Sequence, residues 1–245
     1  MINYHIDKYS KVPLYHQLIE NILESIRLGK LKPGDFLPPE EEICQLTGTS
    51  RGTVRQAINS LVDKGHVIRE RGKGTQIKPP TLNHDLVGDF SFANGIKKIG
   101  LVPSTKVLST EVIPGRNGVT GRLALAKKEM VFKMKRIRCA DNEPWLYETT
   151  YISEEKFPGI HEFDFEANLL IDILAKEYAC VLSKINAFVE PTITDEKYAE
   201  LLGVKEGIPA LVIDRVMYDE AGRPVVYSHA YIRGDRCRYY FNISR

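Results

Sequence analysis

Arg136 and Arg138 stand two residues apart in a stretch, 131–139, that alternates in character. On a strand, Phe132, Met134, Arg136 and Arg138 share one face, and Val131, Lys133, Lys135 and Ile137 share the other. The segment Asp141-Asn142-Glu143-Pro144 turns the chain, and residues 145–152 run back with Leu146, Glu148, Thr150 and Ile152 on one face. If the Phe132/Met134 face points inward, two guanidiniums go in with it, and an unpartnered buried charge is costly. Glu148 can pair with one of them. The other is left for a phosphate or carboxylate, whose oxygens match a guanidinium fork. Alternation alone equally allows both arginines to lie on the solvent side of a strand buried by its opposite face.

A second set lies in SRGTVRQAINSLVDK, residues 50–64. Ser50 suits a helix N-cap, and Val54, Ala57, Ile58, Leu61 and Val62 follow at helical spacing as one apolar stripe. Arg51 and Arg55 sit one turn apart, off that stripe and near the N-terminal end, where cations oppose the helix dipole. A polyanion removes that conflict, and a recognition helix entering the major groove of DNA is one such arrangement. A solvated helix face is the alternative for the pair taken alone.

The surrounding pattern must position these groups. Pro13 suits a first helical position, Tyr15, Leu18, Ile19, Ile22, Leu23 and Ile26 form an amphipathic stripe, and Gly29 stops it. A second helix is expected over 39–47, with Glu40, Glu41 and Glu42 in its first turn and Gly48 making the tight turn that follows. Two short strands, 66–70 and 75–78, flank Arg71-Gly72-Lys73-Gly74 as a β-hairpin. Pro79-Pro80 ends it, and 81–89 shows no clear period. Beyond residue 95 strands dominate, with short helices expected at 118–126, within 163–178, where Leu169, Ile173 and Leu174 pack inward, and at 195–202. Residues 136–152 and 215–232 share a plan: Pro144 answers Pro224, Tyr147 Tyr227, Tyr151 Tyr231 and Ile152 Ile232. Met217 stands in the second copy where Arg138 stands in the first, and Ser228 where Glu148 does. Two such hairpins suggest a pseudo-symmetric antiparallel sheet, unless the likeness is chance.

Composition bounds the function. The 245 residues carry 34 Lys+Arg against 32 Asp+Glu. Residues 1–78 hold 12 basic and 9 acidic side chains, net +3, and the remainder 22 and 23, net −1. The four cysteines lack CxxC spacing, so reduced thiols are expected rather than a disulfide or metal framework. No apolar run approaches the ~20 residues of a membrane span, and the first residues lack the apolar core of a signal peptide. A cytoplasmic, soluble protein without metal or cofactor is expected.

Residues 13–77, with PLY at the start, GKLKPGDFLP, SRGTVRQAINSLVDKG and RGKGT, resemble the N-terminal domain of GntR-family transcription regulators. The resemblance implies that Arg51, Thr53 and Arg55 face DNA and that Lys73, Gly74 and Thr75 form a wing tip, with Arg71 and Lys73 adding salt-dependent affinity. Glu41 departs from the family, which often has Arg there. DFSFANGIKK and KRIRCADNEPWLYETTYI are similar to the UTRA effector domain of the HutC-type subfamily. That similarity implies an α+β protein: an N-terminal winged helix-turn-helix (1–78), a linker and lead-in (79–95), and a chorismate-lyase-like antiparallel effector domain (96–245). It places Arg136, Arg138 and Glu148 in an effector pocket, together with Phe92, the backbone of Ala93, Asn168 and Tyr231. Asn168-Leu169-Leu170 stands where the family commonly has SLY. The implied function is a homodimeric repressor on palindromic double-stranded DNA, controlled by a small phosphorylated or acidic metabolite, with a sugar phosphate expected first. The sequence leaves two rivals: an enzyme using Glu148 as general base, for which no nucleophile–base pair is visible, and a ligand-independent DNA-binding protein.

Overall fold

The computed structural model describes residues 4–85 and 91–240; residues 86–90 of the expected lead-in lie outside them. The chain divides into two compact units, 1–81 and 82–245. The division falls three residues beyond the expected end of the first domain, so 82–95 belongs with the second unit.

In the first unit, α1 (Leu14–Arg27), α2 (Glu40–Thr47) and α3 (Arg51–Asp63) precede a hairpin of β1 (Val67–Glu70) and β2 (Gly74–Ile77). Pro13 is the N-cap residue of α1 rather than its first helical residue. Leu18, Ile19 and Ile22 of α1 pack with Ile43 of α2 and with Val54, Ile58 and Leu61 of α3, all of them buried. Between α2 and α3, Gly48 takes φ 61°, a left-handed conformation that favours glycine and lets the chain reverse. The hairpin is antiparallel, with Val67 opposite Ile77 and Glu70 opposite Gly74. This is a winged helix-turn-helix.

The second unit is built on six antiparallel strands in the order β4-β5-β6-β9-β8-β7. These are β4 (Pro103–Pro114), β5 (Met130–Ala140), β6 (Glu143–Ser153), β7 (Leu182–Ile193), β8 (Pro209–Asp219) and β9 (Pro224–Arg233). Two short helices, α5 (Asn117–Leu123) and α7 (Glu196–Leu202), link each edge strand to its neighbour. Three elements of the second half begin 79 residues after those of the first, 103 to 182, 117 to 196 and 130 to 209, and β9 begins 81 after β6. The echo between the hairpins is therefore part of a whole-domain repeat, whose two halves meet where β6 pairs with β9.

One face of the sheet carries two apolar clusters. At one end Phe132, Met134, Ile152, Met217 and Val226 pack with Leu170, Ile173 and Leu174 of α6 (Leu170–Glu177). At the other, Leu146, Ile213, Ala230 and Ile232 pack with Phe92 and Ile96 of α4 (Phe92–Lys98) and with a parallel pair, β3 (Leu82–Asp85) and β10 (Cys237–Tyr240).

Candidate functional site

In the first unit the charged groups gather at the N-terminal end of α3. Ser50 caps it, its hydroxyl oxygen accepting the Thr53 N–H at 3.1 Å. Arg51 and Arg55 are exposed, at 73% and 64% of their side chains. Both lean on α2: Arg51 Nη2 donates to Glu41 Oε1 at 3.1 Å, and Arg55 Nε to Glu40 Oε2 at 3.4 Å. Arg69 of β1, not singled out by sequence, shares Glu40 at 3.1 Å. Arg71, Lys73 and Gly74 are exposed in the hairpin turn and Thr75 is half-buried; Lys73 pairs with Glu70 at 3.0 Å. Gln56 and Asn59 lie with Gly52 and Arg55 along one groove of α3. The helical spacing 52, 55, 56, 59 marked that face, and amide side chains suit adenine edges.

In the second unit the inward face of β5 carries Arg136 and Arg138, 5% and 8% exposed, opposite Glu148 of β6, 1% exposed. Arg136 is the cross-strand partner of Glu148 and donates to its Oε2 from Nε at 2.9 Å and Nη2 at 2.7 Å. Sequence reasoning missed the third guanidinium. Arg215 on β8 donates from Nη2 to Glu148 Oε1 and from Nε to the Ser228 hydroxyl at 2.8 Å. Ala230, directly opposite Glu148 on β9, is small enough to leave the space that Arg215 crosses. The repeat supplied the signal, since Arg215 is the counterpart of Arg136.

Three guanidiniums thus surround one carboxylate, between two apolar clusters. Burial alone raises the Glu148 carboxyl; Arg136, Arg215 and Arg138 outweigh it and hold it well below the ordinary range. Arg138 is the uncompensated charge. Its guanidinium carbon lies 5.3 Å from the centre of the Phe92 ring, and its buried Nε has no hydrogen-bond partner among the described residues. Burial, and then repulsion from Arg136, push it down to about 9, so it stays charged at neutral pH. The buried Thr150 hydroxyl also lacks a partner among the described residues.

Both orphaned side chains line one cavity of about 30 Å³, with Ser91, Arg136, Glu148, Arg215 and Ser228, and with Leu169, Leu170, Ile171, Leu182, Met217 and Val226 as its apolar wall. A second cavity of about 20 Å³, walled by Phe92, Leu146 and Tyr239, shares Arg138, Glu148 and Arg215. The remaining expected residues are not brought together. Ala93 is buried in the first turn of α4 and lines neither cavity. Asn168 is exposed and lines neither; its Nδ2 donates to the Asp164 carbonyl at 3.0 Å. Tyr231 is opposite Tyr147 on β6, so it lies on the sheet face away from Glu148, where its ring stacks on Tyr198 of α7.

Among the described residues no group of three or more His, Cys, Asp or Glu side chains could hold a metal ion, and no helix is long and apolar enough to cross a membrane. His229 contacts Asp214 at 3.1 Å, on the face away from Glu148.

Known proteins share this layout. Residues 14–77 match the gntR family of bacterial regulatory proteins, and residues 98–238 match the UTRA domain. The transcriptional repressor NagR of Bacillus subtilis is 29% identical, over 94% of this chain and 95% of its own length. The transcriptional regulator GgaR of Escherichia coli K12 is 30% identical, over 96% and 92%. The crystal structure of PhnF from Mycobacterium smegmatis superposes with a TM-score of 0.82 at 25% identity, covering 94% of this chain and 98% of that one. A winged helix-turn-helix followed by an antiparallel six-stranded domain is the layout that these matches span, and the chain belongs to the GntR family of bacterial transcription regulators and carries a UTRA effector domain.

Proposed function

We propose that this regulator is a repressor, binding palindromic operator DNA as a homodimer through Arg51, Thr53 and Arg55 and the wing residues Arg71, Lys73, Gly74 and Thr75. A small phosphorylated or acidic metabolite bound beside Arg136, Arg138 and Glu148 controls its grip on DNA. The observation that carries this reading is Arg138: a buried guanidinium, beside two others, whose Nε has no hydrogen-bond partner among the described residues. An anion is the group whose arrival relieves that charge. The repressor sense follows NagR, whose name describes a repressor; a sugar phosphate is the form of anion that the family resemblance puts first. The effector can act only by binding the DNA-competent and DNA-released conformations with different affinity.

The test is thermal denaturation of the full chain against a panel of phosphorylated and carboxylated metabolites, repeated on Arg138→Met. A ligand at about a hundred times its Kd stabilises by about 2.7 kcal/mol, a shift of several degrees at ~2–4 °C per kcal/mol for a chain of this size. A shift present in the wild type and lost in Arg138→Met is expected. A panel that shifts both proteins equally places the anion elsewhere.

A further inference from the structure

The cavity beside Arg138 also has a wall that says what the rest of the ligand is. A sugar phosphate brings several hydroxyls, and each needs a partner once buried. Among the residues lining the cavity, Glu148 spends both oxygens on Arg136 and Arg215, and Ser228 accepts from Arg215. Ser91 caps α4, its hydroxyl accepting the Asn94 N–H at 3.3 Å. Two groups there have no partner among the described residues, Arg138 Nε and the Thr150 hydroxyl. The spare guanidinium N–H groups and the uncapped backbone N–H groups at the start of α6 suit the anion, which leaves Thr150 and the O–H of Ser228 for the rest of the ligand. The other six lining side chains, from Leu169–Ile171 at the start of α6 and from Leu182, Met217 and Val226 on the sheet, offer only apolar surface.

The uncharged polar side chains that the family resemblance placed at the effector lie elsewhere. Asn168 is turned to the Asp164 carbonyl, Tyr231 is on the other face of the sheet, and Leu170 has no hydroxyl. The repeat deepens the asymmetry: Met217 and Val226 fill on the second half what Arg138 and Leu146 fill on the first. A cavity of about 30 Å³ has room for a water or two, so a metabolite enters only if the cavity widens. The surface that it then meets is leucine, isoleucine and methionine.

We infer that the effector is a small oxyanion on a largely apolar body carrying few further polar groups, rather than a polyhydroxylated sugar phosphate. The anionic head sits at Arg138, a polar substituent is met by Thr150 or Ser228, and the apolar body lies against Leu170, Met217 and Val226. This inference rests on the anion-binding reading of the same cavity and narrows the ligand class within it.

Matched six-carbon probes separate the two ideas: hexyl phosphate against glucose 6-phosphate, and hexanoate against gluconate, titrated calorimetrically into the full-length protein. The alkyl member of at least one pair is expected to bind at least about tenfold tighter than its polyol. Arg138→Met should abolish that binding, and Met217→Thr, which places a hydroxyl in the apolar wall, should narrow the gap. A polyol that binds as tightly as its alkyl partner, in an Arg138-dependent way, overturns the inference and leaves the anion site standing. Failure of all four probes also overturns it. Inorganic pyrophosphate then decides the parent reading, which falls as well if pyrophosphate neither binds nor depends on Arg138.

Discussion

Each unit of this chain sets arginine against glutamate, and the two settings differ in solvent. In the winged unit, Arg51 and Arg55 are mostly exposed and hold Glu41 and Glu40 by single contacts of 3.1 and 3.4 Å. In the effector unit, Arg136 grips Glu148 through two donors, and their side chains are 6% and 1% exposed. Exposed pairs of this kind are worth ~0–1 kcal/mol, so Arg51 and Arg55 can leave their acids for a base edge or a phosphate at little cost. The buried set has no such freedom. Its charges are fixed in place, and the orphaned guanidinium can be relieved only by something that comes to it. One unit keeps its arginines free to move to the partner; the other makes the partner move.

Removing the buried acid breaks this contrast most severely. Glu148→Gln leaves three guanidiniums on the inward face without a carboxylate, and loss of one side of a buried pair costs ~3–5 kcal/mol. Urea denaturation should show a loss of that order, and a loss under about 1 kcal/mol would mean that the buried set is far better solvated than its geometry implies. The pH dependence has a definite sign. The Glu148 carboxyl is held below its ordinary range when folded, so its stabilising contribution is complete above the unfolded value of ~4.3 and is lost as pH falls beneath it. The slope of stability against pH on the acid side should flatten in Glu148→Gln.

Arg138→Met sharpens the comparison within the buried set. The methionine fills similar space and removes the charge that lacks a partner. Replacing buried charge by apolar side chains is often neutral or stabilising, so the variant should match or exceed the wild type in stability, by up to ~1–2 kcal/mol, while losing its anion response. A destabilisation as large as that of Glu148→Gln would show Arg138 to be a structural member of the set.

In the winged unit the same kind of substitution should leave stability alone. Arg55→Ala should change it by less than ~0.5 kcal/mol, yet cost ~1–3 kcal/mol in specific DNA binding if Arg55 reads a base. Competition between a selected operator and random DNA measures the difference. Equal losses on both would mean that Arg55 holds only the phosphate backbone.

The buried trio was partly legible in the sequence because strand alternation is a strict rule. Phe132 and Met134 fix the inward face of β5, and Arg136 and Arg138 follow by parity. Arg215 was visible as the echo of Arg136, but its reach to Glu148 depends on β9 lying beside β6 with Ala230 between them, and strand order is a long-range property that periodicity does not carry. Tyr231 shows the converse. It answers Tyr151, three residues from Glu148 and hence on the opposite face, so the repeat and the pleat together already excluded it from the Glu148 site, against the grouping that the family resemblance suggested. β3 escaped notice because four residues pair with β10, more than 150 positions away, and β7 because it is an edge strand whose one buried residue is Leu182, leaving no alternation to see.

Glu41 is the subtlest point of the comparison. It stands on α2 where the family resemblance leads one to expect arginine, and it holds Arg51 at 3.1 Å while both side chains remain exposed. In the proposed complex Arg51 must leave Glu41 before it can turn to DNA, and the carboxylate left behind would repel nearby phosphates. Glu41→Gln removes both effects with little change in shape. Protein stability should move by less than ~0.5 kcal/mol. DNA binding should tighten a few-fold at low salt, and a freed Arg51 that takes up one phosphate should steepen the slope of log K against log salt by ~0.9. Tighter binding without a steeper slope would mean that Arg51 already contacts DNA in the wild type and that Glu41 acts only by repulsion. Weaker binding, confined to one base position of the operator, would mean that Glu41 itself accepts a hydrogen bond from a cytosine amino group, so that α2 reads sequence alongside α3.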